Sequence, residues 1–191
     1  MKPTHCHNCG QEIQYDESHQ AHGDPDIIAC ICHTGKSLTI VAVEYKGNWY
    51  SPDYFLKGDG RNGVYSIQNQ RDERTFEVLR YYAMYDEPGF CSQPYHCVRI
   101  LWVKGEAVGF YTDNDYFGKR GIGHIFVRRE YRRKGYATAL IRGFLDKYPG
   151  NDVYVLEPNE TMYKVLEKIG LVEKQGVEWV FIDRMKCMPA V

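Results

Sequence analysis

Residues 124–148 read HIFVRREYRRKGYATALIRGFLDKY. A strand ending in the apolar run Ile125-Phe126-Val127 gives way to a basic turn, beyond which Ala137, Leu140, Ile141, Phe144, Leu145 and Tyr148 recur at helical spacing. The stretch therefore reads as strand, turn and amphipathic helix, with the apolar stripe facing a sheet. Where Arg132-Arg133-Lys134-Gly135-Tyr136-Ala137 joins strand to helix, successive backbone N–H groups and the positive end of the helix dipole converge. That is an anion site. Gly135 lets the main chain approach a bulky diphosphate, Ala137 keeps the helix start close to the sheet, and the arginines with Lys134 bring charge for phosphates.

Downstream, Pro149-Gly150-Asn151 stops the helix and residues 153–156 form a strand. Met162, Val165, Leu166 and Ile169 mark another helix, closed by Gly170, and residues 177–182 form a last strand. Upstream of the strand at 121–127, two strands over 97–103 and 107–112 flank the turn Lys104-Gly105-Glu106. A helix over about residues 72–85 stops at Pro88-Gly89, and a short strand covers 64–67. The β-branched run 37–44 returns through Lys46-Gly47-Asn48 to Trp49 and Tyr50 as a hairpin. This order predicts an α+β, three-layer architecture: a mixed, mostly antiparallel twisted sheet flanked by helices.

The turn resembles the coenzyme-A motif of the Gcn5-related N-acetyltransferase superfamily, Gln/Arg-x-x-Gly-x-Gly/Ala after a strand and at a helix start, through Arg132, Gly135 and Ala137. Residues 158–171 are similar to the family's Asn-x-x-Ala-x-x-Leu-Tyr-x-Lys-x-Gly-Phe segment through Asn159, Lys168 and Gly170. The resemblance covers residues 64–183 and implies the acyl-CoA N-acyltransferase fold. It implies acetyl-CoA as cosubstrate, with its acetyl group passed to a primary amine of a small molecule or protein by direct attack on the thioester. It also implies that the turn formed by Arg132, Arg133, Lys134, Gly135, Tyr136 and Ala137 holds the CoA pyrophosphate. The main chain of Phe126 and Val127 would pair with the pantetheine arm, and Asn159 would contact it.

An amine is protonated at neutral pH, so transfer needs a base. Relatives carry a Glu near the start of the strand before the turn, but Lys119-Arg120-Gly121-Ile122-Gly123 contains no acid. His124 is the nearest candidate, its ordinary pKa of ~6.5 suiting the task. Strand alternation sets it on the side of Ile122 and Phe126, where a packed, hydrogen-bonded histidine is the competing reading. Asp113 and Asp115 are reserves, each also readable as a turn residue. The family's proton-donating Tyr falls on Leu166, which leaves Tyr163, one turn earlier on the same helical face, as candidate acid or as a half-buried aromatic. Tyr81, Tyr82, Tyr85, Phe90 and Tyr95 offer either an aromatic wall for the acceptor or surface packing. The rival function is a non-catalytic acyl-CoA-binding or zinc-linked interaction module.

A chain of 191 residues suits one ordinary domain with a small appendage, divided here into 1–35 and 36–191. A net charge of −1 gives no general attraction to nucleic acid or anionic membrane, and no apolar run approaches the ~20 residues of a bilayer-spanning helix. The expectation is a cytoplasmic protein whose partners are acyl-CoA and an amine acceptor, with the oligomeric state open, a homodimer included. Seven unevenly spaced cysteines do not suggest a secreted disulfide framework. Cys6-His7-Asn8-Cys9-Gly10 instead looks like half of a zinc ribbon, to be completed by Cys30 with Cys32 or His33, or by His19 with His22. Cys30 and Cys32 are preferred, since four thiolates suit a closed structural zinc site; reduced, unmetallated thiols are the other reading.

Overall fold

The computed structural model describes residues 3–6, 9–12, 27–32, 37–58, 60–86, 97–116, 118–156, 158–176, 178–182 and 185–188. Strands β1 (Ile27–Cys32), β2 (Ser37–Tyr45) and β3 (Asn48–Tyr50) form an antiparallel sheet in chain order. Then come α1 (Pro52–Leu56), β4 (Gly63–Ser66), α2 (Gln70–Asp86), β5 (Cys97–Val103), β6 (Glu106–Tyr116) and β7 (Lys119–Val127). They are followed by α3 (Tyr136–Lys147), β8 (Val153–Leu156), α4 (Glu160–Lys168), β9 (Val172–Gln175), β10 (Glu178–Phe181) and β11 (Met185–Met188). The main sheet has six strands in the order β11-β8-β7-β6-β5-β4, antiparallel from β4 to β7 and parallel at β7–β8 and β8–β11. The expected mixed sheet flanked by helices is therefore present.

Each face of this sheet is covered by its own apolar cluster, as a two-faced sheet in a three-layer fold requires. On one side Phe55 of α1, Phe76, Val78 and Leu79 of α2, and Ile40 and Val43 of β2 pack with Ile100, Trp102, Phe110 and Phe126. On the other, the predicted stripe of α3, Leu140, Ile141 and Phe144, is fully buried with Val108, Tyr111, Val153, Val155 and Leu166. Helix α2 begins earlier than the apolar pattern suggests because of a reciprocal cap: Asp72 N donates to Asn69 Oδ1 at 3.0 Å while Asn69 Nδ2 donates to Asp72 Oδ2 at 3.3 Å. Helix α4 closes at Gly170, φ +76, with Gly170 N bonded to Glu167 O and Leu171 N to Leu166 O, each at 2.9 Å.

The C-terminal end differs from expectation. The strand expected at 177–182 becomes β10, which pairs only with β9 in a separate ribbon, and the outer position of the main sheet is taken by β11, parallel to β8. Glu173, Lys174 and Gln175 of β9 are exposed, so that strand carries no one-sided apolar alternation for sequence reading to detect. At the other end, β1 pairs with β2 across position 35, and Ile27 reaches the α2-side cluster. No helix among the described residues is long and apolar enough to cross a membrane.

Candidate functional site

Two features of β7 shape the site. Thr112 pairs with His124 but Asp113 with Ile122, so Gly123 is an extra residue, a bulge, and His124 N donates to Thr112 Oγ1 at 2.9 Å. A Cβ on Gly123 would lie 2.9 Å from that Oγ1, which is why glycine suits the position. The bulge reverses the face on which residues fall. Ile122 therefore packs with α3, whereas Phe126 packs with α2. The expectation that Ile122, His124 and Phe126 share one side is corrected accordingly: His124 keeps the phase of Phe126, on the α2 face, and is half-buried.

The second feature is an opening. Strands β7 and β8 pair only at Gly121↔Tyr154 and Ile122↔Val155, after which β7 runs on to Val127 with no described neighbour on that edge. Arg128 N bonds Val108 O at 2.9 Å, and two-residue alternation then turns the main-chain groups of Phe126 toward β6 and those of Ile125 and Val127 toward the opening. Gly109 keeps β6 close at this point, since a Cβ there would overlap the Phe126 carbonyl oxygen. This is a crevice beyond the carboxyl end of two parallel strands, with main-chain groups that pair with no described strand along one wall.

The basic turn lies at the end of that wall. A short 3-10 turn (Arg129–Tyr131) leads to Arg133, φ +66, and Gly135, φ +84, two left-handed residues that bend the chain into α3. No side chain caps α3, so its first N–H groups are left for another acceptor. Several of the basic side chains are used internally. Arg132 Nε donates to Val127 O at 2.8 Å and its Nη2 to Asp86 Oδ2 at 2.9 Å, while Arg129 Nη2 reaches Asp86 Oδ1 at 3.3 Å. Arg128 donates to Ala107 O at 3.0 Å, and Lys134 Nζ to Glu130 O at 3.0 Å. Tyr131, whose hydroxyl donates to Glu106, lies under both Arg128 and Lys134. Arg133 is exposed. Charge and spacing reveal a basic turn, but not which of its cations hold the turn together.

The remaining candidates fall on separate elements. Asn159, expected to contact pantetheine, caps α4 here, its Oδ1 accepting from Met162 N at 2.9 Å. Tyr163 is half-buried on α4, 5.9 Å from the Phe181 ring and hydrogen-bonded to the Cys187 side chain of β11; burial, and then Cys187, hold its hydroxyl pKa above the ordinary value. Tyr163 thus reaches toward β11 and His124 lies on β7, with β8 between. Leu166, in the family's tyrosine position, is fully buried. Asp113 is fully buried and bonded to Lys147 Nζ at 2.6 Å and Tyr148 OH at 2.8 Å, a structural ion pair, while Asp115 accepts from Gly118 N at 2.7 Å in the β6–β7 turn. Tyr81 and Tyr82 pack on the α2-side cluster and Tyr85 is exposed; Phe90 and Tyr95 lie outside the described residues.

Of the proposed metal ligands, Cys6 is buried and Cys9 half-buried, the backbones of Cys30 and Cys32 lie in β1, and His19, His22 and His33 fall outside the described residues. Among the described residues no three His, Cys, Asp or Glu side chains gather as a metal site; the side chains of Cys30 and Cys32 are not among them.

The sequence model of the acetyltransferase (GNAT) family matches residues 61–171, more than half of the chain. Protein FAM169B of Mus musculus is 27% identical over 154 residues, covering 68% of this chain and 46% of that protein, so the chain spans about half the length of this curated relative. Among solved structures, YhhK of E. coli, an N-acetyl transferase candidate solved bound to coenzyme A, aligns at 13% identity and TM-score 0.47 over 64% of this chain and 99% of that one. A ribosomal-protein-alanine N-acetyltransferase of Brucella melitensis aligns at 23% identity and TM-score 0.43, over 61% and 97%.

Proposed function

The chain belongs to the acetyltransferase (GNAT) family, and from that premise we propose that it binds acetyl-CoA and transfers the acetyl group to a primary amine of a small molecule or protein by direct attack on the thioester. The observation that carries this reading is the parting of β7 from β8 beyond Ile122 and Val155, which leaves the main chain of Ile125 and Val127 facing a crevice that ends at the left-handed turn before α3.

In this reading the main chain of Ile125 and the Val127 N–H pair with the amides of a pantetheine arm, the role expected of Phe126 and Val127, while the Val127 carbonyl stays with Arg132. N–H groups from Arg133 to Ala137 receive the diphosphate at the start of α3. Because Arg132 is committed to Val127 O and Asp86, its part is chiefly to hold the turn. An N–H of Ile125 or Val127 polarises the thioester carbonyl, a fixed dipole where negative charge develops. On the α2 face, His124 takes a proton from the attacking amine, directly or through water. Tyr163 gives its proton to the departing thiolate. Its raised pKa keeps the hydroxyl protonated, hence able to donate, throughout the neutral range.

A second reading is a non-catalytic acyl-CoA-binding module, favoured by the burial of Leu166 where relatives carry the acid and by the absence of Asp or Glu from residues 119–123. Calorimetry with CoA, run beside a free-thiol assay of acetyl-CoA with small amines, polyamines and peptides, separates the two. CoA binding with turnover on one acceptor class supports the enzyme. CoA binding without turnover on any of them supports the module, and absence of CoA binding overturns both.

A further inference from the structure

The motif Cys6-His7-Asn8-Cys9-Gly10 has no place in the acetyl-transfer site. Its described backbone closes as a tight turn: Gly10 N donates to Cys6 O at 2.8 Å, Cys6 N to Gln11 O at 2.8 Å, and His5 bridges Glu12 in antiparallel fashion. Gly10 has φ +71, the left-handed conformation that lets the chain turn back after the second cysteine. The turn is docked. Cys6 is 1% exposed and packs on Val41 and Ala42 of β2, with Cys9 and Trp49 against the same small cluster.

Strand register brings the second cysteine pair to that face. Ile28 pairs with Ala42 but Ala29 with Ile40, so Val41 is an extra residue in β2. Beyond this bulge Val41, Thr39 and Ser37 follow at two-residue steps and share one face of the strand. Thr39 and Ser37 are the register partners of Cys30 and Cys32. Cross-strand partners lie on the same face, so both pairs of cysteines fall on the side of the three-stranded sheet opposite Ile40 and Val43, which face α2.

We propose that Cys6, Cys9, Cys30 and Cys32 bind one zinc ion as four thiolates, in a site outside the acetyltransferase cleft. The assignment of Cys30 and Cys32 rests on backbone register. The chemistry suits zinc: soft sulfur donors and a Cys-x-x-Cys turn ending in glycine match a tetrahedral ion with Zn–S bonds of about 2.3 Å. Four protein ligands leave no open position, so the ion is structural. It pins residues that form little apolar core to the outer face of β2, whose inner face is part of the main core. Each thiol releases its proton on binding, so affinity falls as pH is lowered.

Metal analysis of the purified full-length chain tests this, expecting one zinc per chain. The paired substitution Cys30→Ser with Cys32→Ser should reduce zinc to background, while Cys97→Ser retains it. Because ligand variants can misfold, cobalt substitution of the unmutated chain gives a second readout: intense thiolate-to-metal charge-transfer bands and tetrahedral d–d bands of a four-sulfur site. Absence of zinc or cobalt from the folded chain overturns the site. Zinc retained after loss of Cys30 and Cys32, or lost from His19→Ala with His22→Ala alongside a mixed nitrogen–sulfur cobalt spectrum, overturns the ligand set.

Discussion

Asp86, the last residue of α2, accepts from Arg132 Nη2 at 2.9 Å, and the same guanidinium donates through Nε to Val127 O at 2.8 Å. One planar group thus joins the end of α2, the end of β7 and the turn before α3, a geometry that the rigid fork of arginine allows and a lysine cannot reproduce. Asp86→Ala should weaken CoA binding roughly three- to tenfold, about 1 kcal/mol, by loosening the turn. Calorimetry reads the effect. Tighter binding in the variant would show instead that Asp86 competes with phosphate for Arg132.

Gly135 sits at φ +84 with open space where a Cβ would project. A side chain there costs about 1–2 kcal/mol in backbone strain but meets no protein atom, so Gly135→Val should remain folded by circular dichroism. Its CoA affinity should fall by roughly two orders of magnitude or more, because the side chain enters the space assigned to the diphosphate. Unchanged affinity would remove the turn from the binding site.

Tyr163→Phe deletes the hydroxyl that bonds Cys187 while keeping the ring against Phe181. If that hydroxyl protonates the leaving thiolate, kcat falls on the order of 10²-fold with KM for acetyl-CoA unchanged. Steady-state kinetics with the acceptor found by screening decide it. A kcat within about twofold of the unmutated chain would assign Tyr163 to packing alone.

Alkaline pH should destabilise the fold through the cluster around Asp113. Burial opposes the charge of Lys147, but its bonds to Asp113 and Tyr148 and the Asp113 charge outweigh this and raise its pKa. Burial raises the Tyr148 hydroxyl, where the Lys147 bond pulls down and the Asp113 bond pulls up. Burial also raises Tyr111. All three groups hold their protons more tightly when folded, so their contribution is complete below the unfolded values near ~10 and is lost as pH rises through the folded ones. Urea midpoints should be level from about pH 7 to 9 and fall above about 10. Asp113→Ala should cost about 3–5 kcal/mol, leaving Lys147 without its buried partner, and should remove the lysine's share of the alkaline decline. An alkaline branch identical in the variant would place the titration elsewhere.

Much of this molecule is written locally. The stripe Leu140, Ile141 and Phe144, the glycine at 135 and the Gly170 stop each depend on residues within a few positions of one another, and each is found where periodicity and turn chemistry put it. The same holds for the order of strands and helices from β5 to α4. Local hydrogen-bond geometry and helical spacing are properties of short stretches, and sequence alone determines them.

Other features depend on distant partners. The bulge at Gly123 exists because Thr112 and Asp113 of the neighbouring strand set the register, and it decides that His124 and Phe126 do not share a face with Ile122. The parting of β7 from β8 turns the main chain of Ile125 and the Val127 N–H toward the opening. Asp86 finds Arg132 across 46 positions, and Asp113 finds Lys147 across 34. The sequence by itself determined that a basic, glycine-containing turn joins a strand to a helix within a mixed sheet. Tertiary structure decided which peptide groups face the crevice and which arginines hold the turn, because strand register and ion pairing are settled only when distant segments meet.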